Sequence, residues 1–549
     1  MTILLDLDLT GELVEDVGSH PIERVLARRR LVLRTLVDRL ATAANDPHVV
    51  GLLAKLGTPS MSLAQAQELS DAVVRFRASG KDAIAWAETF GELGRGTTAY
   101  VVATGFGEVW LQPSGSVGLM GAAATGVFVR GALDRVHVEP LFAQRHEYKN
   151  AADSLLRNEF TDAHREATER LAASAYEQIV SAVAERRRLP QDRVRELIDR
   201  APIPAAEARE AGLIDHLGYR DAVRAAVDRR WDQKPTLLYV SQYRRRWDAV
   251  RRARQTRRPA VGLIEAAGMI GTGRSKRGPV GRVAGSDTVA AAFRSAVRDG
   301  RTKAIVFRVN SRGGSYIASD IIWHEVCNAR EAGKPVVVSM GDVAGSGGYF
   351  VAAAADVIVA QPATLTGSIG VLGGKLQTSG LFERLGVRVE GVARGRHALM
   401  FSSQTGFSDE EWGKLDEWLD LIYDDFVDKV ARGRAMTRDA VQEVARGRVW
   451  TGADAAERGL VDELGGLRRA IEIARERSGL PPDAPLRPAL AVSPVRRLRP
   501  PRSSDDPAAF VHVRGWSTQL WGSGDYAQLA AALGLPASGP LTMPAGPLR

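Results

Sequence analysis

Two tandem α/β domains, copied from one ancestral unit, are the architecture that this 549-residue sequence predicts. A single hydrophobic core stops growing at roughly 250–300 residues, so a chain of this length with 45% hydrophobic content is expected to divide. Slid against itself, the chain matches without gaps where residues 161–218 meet residues 408–465, and a long self-match marks an internal duplication. In both halves apolar runs of strand character alternate with amphipathic helical stretches, the pattern of layered α/β folds.

In chain order, Thr58-Pro-Ser-Met-Ser62 falls on Ser311-Arg-Gly-Gly-Ser315 once small gaps are allowed. Gly96-Thr-Thr-Ala-Tyr100 then falls on Gly345-Ser-Gly-Gly-Tyr349, and Gln112-Pro113 on Gln361-Pro362. Thr97 therefore stands where the second copy has Ser346, and the first copy lacks both that serine and the glycine pair. A long helix follows in each copy. Ser408 with Glu411 forms a capping box, and Trp412, Leu415, Leu419, Ile422, Phe426 and Val430 recur at helical spacing to define one buried face. Thr161, Tyr176, Ile179 and Val183 hold the corresponding places in the first copy. Both copies close alike, Ala208–Gly218 falling on Ala455–Gly465.

Between the copies, Tyr243-Arg-Arg-Arg-Trp247 and the arginines up to Arg258 read as a basic connecting segment. Its expected partners are solvent or an anionic membrane surface, where each basic residue contributes ~1 kcal/mol. Beyond Leu480 the proline-rich Pro481–Pro488 and the arginines at 496–502 read as an extended tail, with a short helix expected around Tyr526–Leu533. The expected units are thus an N-terminal copy at 1–228, a basic linker at 229–258, a C-terminal copy at 259–478 and a tail at 479–549.

Composition excludes several function classes. The single cysteine, Cys327, forbids an intrachain disulfide, and no Cys/His spacing of a zinc site or calcium-loop pattern occurs. No metal and no cofactor are expected, and no phosphate-binding P-loop is present. The net charge of +9 comes from 64 arginines against ten lysines, a compositional bias rather than a nucleic-acid footprint. Met1–Thr10 lacks a basic segment followed by an apolar one, and no window reaches the ~18 apolar residues of a spanning helix. The chain is expected to be cytoplasmic or peripheral on a membrane.

The chemistry concentrates in two runs of the second copy. The apolar strand Ala304–Val309 leads into Gly313-Gly314, where a tight turn can aim amide N–H groups at an oxygen. A second strand, Pro335–Ser339, leads to Ser346, and Gly345, Gly347 and Gly348 permit a strained turn opening a helix. A serine nucleophile beside an oxyanion-binding loop points to acyl transfer, in which losing one such donor typically costs ~10²–10³ in rate. The hydroxyl needs a base. The residues alone leave a lysine, a carboxylate, His324 or His397 open for that role.

These stretches, with Arg308–Ser315, Thr366-Gly-Ser-Ile-Gly370 and Glu147-Tyr-Lys-Asn-Ala151, resemble signal peptide peptidases of the protease IV type, over roughly residues 1–475. Those are serine peptidases with a Ser/Lys dyad on the Clp protease/crotonase fold. The resemblance implies that Ser346 is the nucleophile and Lys149, from the first copy, the general base. It also implies an oxyanion site at Gly347 and the Gly313/Gly314 turn, and Ser368 as a hydroxyl that steadies the lysine. Peptide substrates with apolar or small side chains, such as signal peptides, are implied as well, together with ATP independence and a homo-oligomer of which a tetramer is the expected form. The duplication agrees, since Arg396 stands opposite Lys149 and a guanidinium cannot serve as base. Two departures stand out. Arg312 occupies a place where the family usually has proline, and no counterpart of the N-terminal membrane anchor of many members is expected. The rival readings are a crotonase-type acyl-CoA hydratase or hydrolase and a membrane-associated scaffold without activity.

Overall fold

A computed structural model describes residues 2–15, 31–57, 60–92, 94, 96–231, 234–243, 258–278, 281–490 and 541–542. Residues 244–257 of the basic linker and most of the tail, including the helix expected around 526–533, lie outside the described residues.

The first half builds a parallel sheet from its most apolar runs. β1 (Ile3–Leu9), α1 (Leu33–Ala44), β2 (Val49–Leu56), α2 (Leu63–Ala78), β3 (Asp82–Ala87), α3 (Thr97–Ala103) and β4 (Glu108–Leu111) alternate along the chain. Strands covered on both faces read as near-continuous hydrophobic runs, and Leu4, Leu5, Leu7 and Leu9 of β1 are accordingly all buried. α2 starts where Ser62 accepts from the Gln65 N–H and the Gln65 side chain returns a bond, so two orphan amides are satisfied. After β5 (Glu139–Gln144) and α4 (Asp162–Arg187), β6 (His216–Leu217) and β7 (Thr236–Tyr239) complete the strand order β6-β4-β3-β2-β1-β7.

The second half repeats that order. Its elements are β8 (Ala260–Ala267), β9 (Met269–Gly271), α5 (Ser286–Arg298), β10 (Thr302–Ser311), β11 (Gly313–Gly314), α6 (Tyr316–Glu331), β12 (Val336–Gly345) and α7 (Gly347–Ala352). There follow β13 (Val357–Ala360), β14 (Leu365–Gly367), β15 (Leu372–Gln377), α8 (Asp409–Arg434), β16 (Val449–Thr451), β17 (Glu463–Leu464), α9 (Leu467–Arg477) and β18 (Leu486–Pro488). The parallel neighbours run β17-β13-β12-β10-β8-β18, strand for strand the order of the first half. α8 carries the expected capping box at Ser408 and Glu411, and buries Leu415, Leu419, Ile422, Phe426 and Val430. Its counterpart α4 begins where Thr161 accepts from the His164 N–H.

Each sheet closes later than the sequence suggested. β7 lies beyond residue 228 and β18 beyond residue 478, because the edge strand of each copy pairs parallel to that copy's first strand and must arrive from the chain's far end. Tyr243, read as part of a surface linker, is instead buried in the first core, where its hydroxyl donates to Asp46 Oδ2 at 2.7 Å. No described helix is long and apolar enough to cross a membrane.

The halves are joined by a two-stranded antiparallel ribbon. β5 of the first copy pairs with β15 of the second, from Gln144 opposite Leu372 to Glu139 opposite Gln377. The Arg145 N–H continues the pairing to the Val371 carbonyl at 3.0 Å. Residues just after β5 and just before β15 therefore share one end of the ribbon, and that end holds the site.

Candidate active site

Ser346 lies between the end of β12 and the start of α7, at φ 54° and ψ −117°. A non-glycine residue with this backbone is strained and persists only where its surroundings over-determine it. They do so here. The Ser346 N–H donates to the Gly367 carbonyl at 2.8 Å, and its own carbonyl accepts from the Phe350 N–H at 2.8 Å. The flanking glycine is required by close approach: a Cβ on Gly347 would stand 2.8 Å from Ser319 Oγ, 3.1 Å from Gly313 Cα and 3.2 Å from Gly314 N. Gly313, Gly314 and Gly347 are thereby brought against one another beside Ser346. The Gly313 N–H donates to Ser311 Oγ at 3.1 Å, which pins the turn.

Lys149 follows β5 on the loop that the ribbon delivers to this point. Its Nζ lies 2.8 Å from Ser346 Oγ, 3.1 Å from Ser368 Oγ and 3.1 Å from the Ser368 carbonyl. The side chain is wholly buried. Among the described residues no carboxylate pairs with it, and burial holds its ammonium well below the usual lysine range. Lowering it in this way favours the neutral amine, the form that can accept a proton from a hydroxyl.

A second-copy segment clamps this lysine. Arg446 pairs with Glu147 at 2.8 Å, and Arg448 pairs with Glu166 at 2.9 Å while its guanidinium stands 4.8 Å from the centre of the Tyr148 ring. Tyr148 completes the group by donating to Glu166 Oε2 at 2.7 Å. Between the arginines, Gly447 lies so close that a Cβ there would come within 2.4 Å of the Lys149 backbone nitrogen. The sequence reading missed this clamp. A signal for it existed, since the ungapped self-match places Arg200 opposite Gly447.

Beneath the two strand ends runs a buried ionic brace. Arg308 on β10 donates to Glu15 at 2.7 Å, Glu68 at 2.9 Å, Ser339 Oγ at 2.8 Å and the Met340 carbonyl at 3.0 Å. Glu68 also accepts from the Leu467 N–H at 2.8 Å, which opens α9. Burial pushes the Glu15 carboxyl up to about 7, and it raises Asp342 as well, which accepts from the Ser62 hydroxyl. First-copy carboxylates thus fix the second-copy strands that carry the glycine turn and the serine.

The other candidates are elsewhere. His324 is exposed, and His397 is half-buried with Nε2 3.6 Å from Glu410; neither is a hydrogen-bond partner of Ser346. Arg396 is exposed and bonded to Glu410 at 3.0 Å. Thr97 opens α3 as Ser346 precedes α7, but its Oγ1 accepts from the Met120 N–H at 3.1 Å and no lysine lies against it. No group of three or more described His, Cys, Asp or Glu side chains is arranged to hold a metal ion.

Comparison with known proteins agrees with this geometry. The family model "Peptidase family S49" matches residues 75–234 and 328–481. The chain is 31% identical over 483 residues to the chloroplastic serine protease SPPA of Arabidopsis thaliana, covering 87% of this chain and 69% of that one. It is 31% identical over 496 residues to Protease 4 of Salmonella typhi, covering 86% and 77% respectively. Protease 4 of Haemophilus influenzae is 30% identical over 465 residues, covering 82% and 73%.

Proposed function

The chain belongs to peptidase family S49 and is a serine-type endopeptidase; on that premise we propose that Ser346 is its nucleophile, Lys149 its general base, and signal peptides or other extended apolar peptides its substrates. The observation that carries the assignment is the 2.8 Å approach of Lys149 Nζ to Ser346 Oγ inside a fully buried pair.

Neutral Lys149 takes the Ser346 proton as Oγ attacks a peptide carbonyl carbon, and the oxyanion is held by amides of Gly347 and the Gly313/Gly314 turn, where the Gly313 N–H exchanges Ser311 Oγ for the oxyanion. The lysine then gives its proton to the leaving amine, and water releases the acyl group by the same route in reverse. A lysine in water titrates near ~10.4, so the reaction near neutrality depends on the desolvation that the site imposes. Ser368 orients the amine through both its hydroxyl and its carbonyl. No ATP is required, since the substrate enters as an already extended segment. Family membership favours neither the acyl-CoA reading nor the inactive scaffold.

The names of the relatives support signal peptides as a substrate class: one is a putative signal peptide peptidase of Enterococcus faecium, 37% identical over 182 residues. A homo-oligomer, with a tetramer as the expected form, is supported by the exposed apolar run Leu385, Val387, Val389, Val392, Leu399 and Phe401, which a monomer leaves wet. Peripheral contact with an anionic membrane rests on the arginines at 244–258, now without Tyr243.

Labelling with a fluorophosphonate tests the assignment. Modification confined to Ser346 in the native protein, and lost in Ser346→Ala and Lys149→Ala, is the expected result. Labelling that survives Lys149→Ala but vanishes in His324→Ala or His397→Ala would replace the lysine by a histidine base.

A further inference from the structure

Arg312 immediately precedes the Gly313-Gly314 turn and is half-buried. Among the described residues it has neither an ion-pair nor a hydrogen-bond partner, and burial is the only cause acting on its ionisation, which it lowers. A guanidinium stays charged at any working pH, so this is a partly desolvated cation without a counter-ion among the described residues. More deeply buried arginines differ. Arg187 pairs with Asp215 at 2.8 Å, and Arg308 with Glu15 and Glu68. Arg312, without such a partner among the described residues, adjoins the glycine turn of the proposed oxyanion site.

The edge of β11 shows what can come alongside. A strand from the chain's own tail, β19 (Leu541–Thr542), pairs antiparallel with it, Gly313 opposite Thr542 and Gly314 opposite Leu541. That edge therefore accepts an extended segment by backbone hydrogen bonding, a general mode of peptide recognition. If an incoming segment kept this register one residue further, the residue after the one opposite Gly313 would fall against Arg312. Directly opposed side chains in an antiparallel pair share a face, with Cβ atoms about 4.5–5.5 Å apart.

We propose that Arg312 is a specificity-determining residue that binds a carboxylate of the substrate peptide, one residue C-terminal to the position paired with Gly313. The inference rests on the peptidase reading. Two sources share the chemistry: an aspartate or glutamate side chain within the peptide, or the free α-carboxylate of a peptide that ends there. A fragment released by an earlier cleavage carries the second kind. Either supplies the planar oxygen pair that a guanidinium engages in a bidentate manner, and neutralises a cation that the described residues leave unpaired.

The test uses the full chain carrying Ser346→Ala, so binding is read without turnover. The probes are fluorescent apolar decapeptides with one glutamate or glutamine walked along them, each with a C-terminal acid or amide. The expected result is roughly tenfold or more tighter binding for glutamate over glutamine at one position, or for acid over amide, given the strength of hydrogen bonds to charged groups. The first pattern identifies a side-chain carboxylate and the second a chain terminus. Adding Arg312→Gln should bring that ratio towards one, while Arg312→Lys should keep part of it. In the enzyme with Ser346 intact, the ratio should appear mainly in KM rather than kcat. Equal ratios with and without Arg312→Gln would overturn the proposal. So would a loss that is the same for acidic and neutral peptides, which marks a purely structural role in the turn. If Ser346→Ala proved fully active, the nucleophile assignment would fall, yet the binding ratio would still decide the role of Arg312.

Discussion

The two copies share a six-strand order and a 26-residue helix in the same place, yet only one carries a strained serine. Ser346 sits at φ 54°, whereas Thr97 has no positive φ. A β-branched residue at that turn disfavours the left-handed region, so the first copy has relaxed where the second stays strained. The lysine shows the reverse. The first copy keeps Lys149 and the second has an exposed arginine at the matching position, paired with Glu410. Burial of apolar pattern preserves a fold through many substitutions, while a reactive pair depends on a few atoms. On the proposed assignment, each copy keeps a different half of one composite site.

The sharpest way to break this comparison is to remove either half. Ser346→Ala and Lys149→Ala should each reduce kcat/KM for a peptide substrate by at least ~10³-fold, with the double mutant little worse, because the pair acts as a unit. Lys149→Arg should be as damaging as alanine. Thr97→Ala should leave activity within about twofold, as expected for a residue outside a reactive unit. Comparable losses for Thr97→Ala and Ser346→Ala would make the first copy catalytic after all.

Next in size is the clamp. Gly447→Ala drives a methyl into the Lys149 backbone, where 2.4 Å is far inside contact. A displacement of the base by about an ångström should lower kcat on the order of 10²-fold, with KM much less affected. An unchanged kcat would show that the loop yields and that Lys149 is positioned by the ribbon alone.

The pH dependence sharpens the role of burial. Activity on a neutral peptide ester should rise with pH through one ionisation below the ordinary lysine range, since only the neutral amine can accept the serine proton. A flat profile throughout the range below the ordinary lysine pKa would remove Lys149 as base.

The smallest effect is on stability. Lys149 has a lower pKa folded than unfolded, so the unfolded chain binds more protons between those two values and stability rises with pH across that window. Lys149→Met should therefore melt higher than the native chain at or below the folded pKa, with the gap closing as pH approaches 10, near the value of free lysine. A gap that widens with pH would contradict a desolvated, unpaired lysine.

Much of this was legible in the sequence, because it rests on interactions within a few residues. Helical spacing marked the buried face of α8, Ser408 and Glu411 marked its start, and glycines around Ser346 and at 313–314 marked where the backbone had to turn or touch. The self-match exposed the duplication and the missing partner in each half. What only the tertiary structure decided involves residues distant in sequence. It pairs β5 with β15, sets Lys149 beside Ser346, places Gly447 on the lysine backbone and runs the Arg308 brace between the copies. It also moved Tyr243 into a core and gave each sheet a late closing strand. The reason is physical: a local pattern is fixed by which side chains share a face, but the proton affinity of Lys149 is fixed by every group that excludes water from it, and those groups come from both copies.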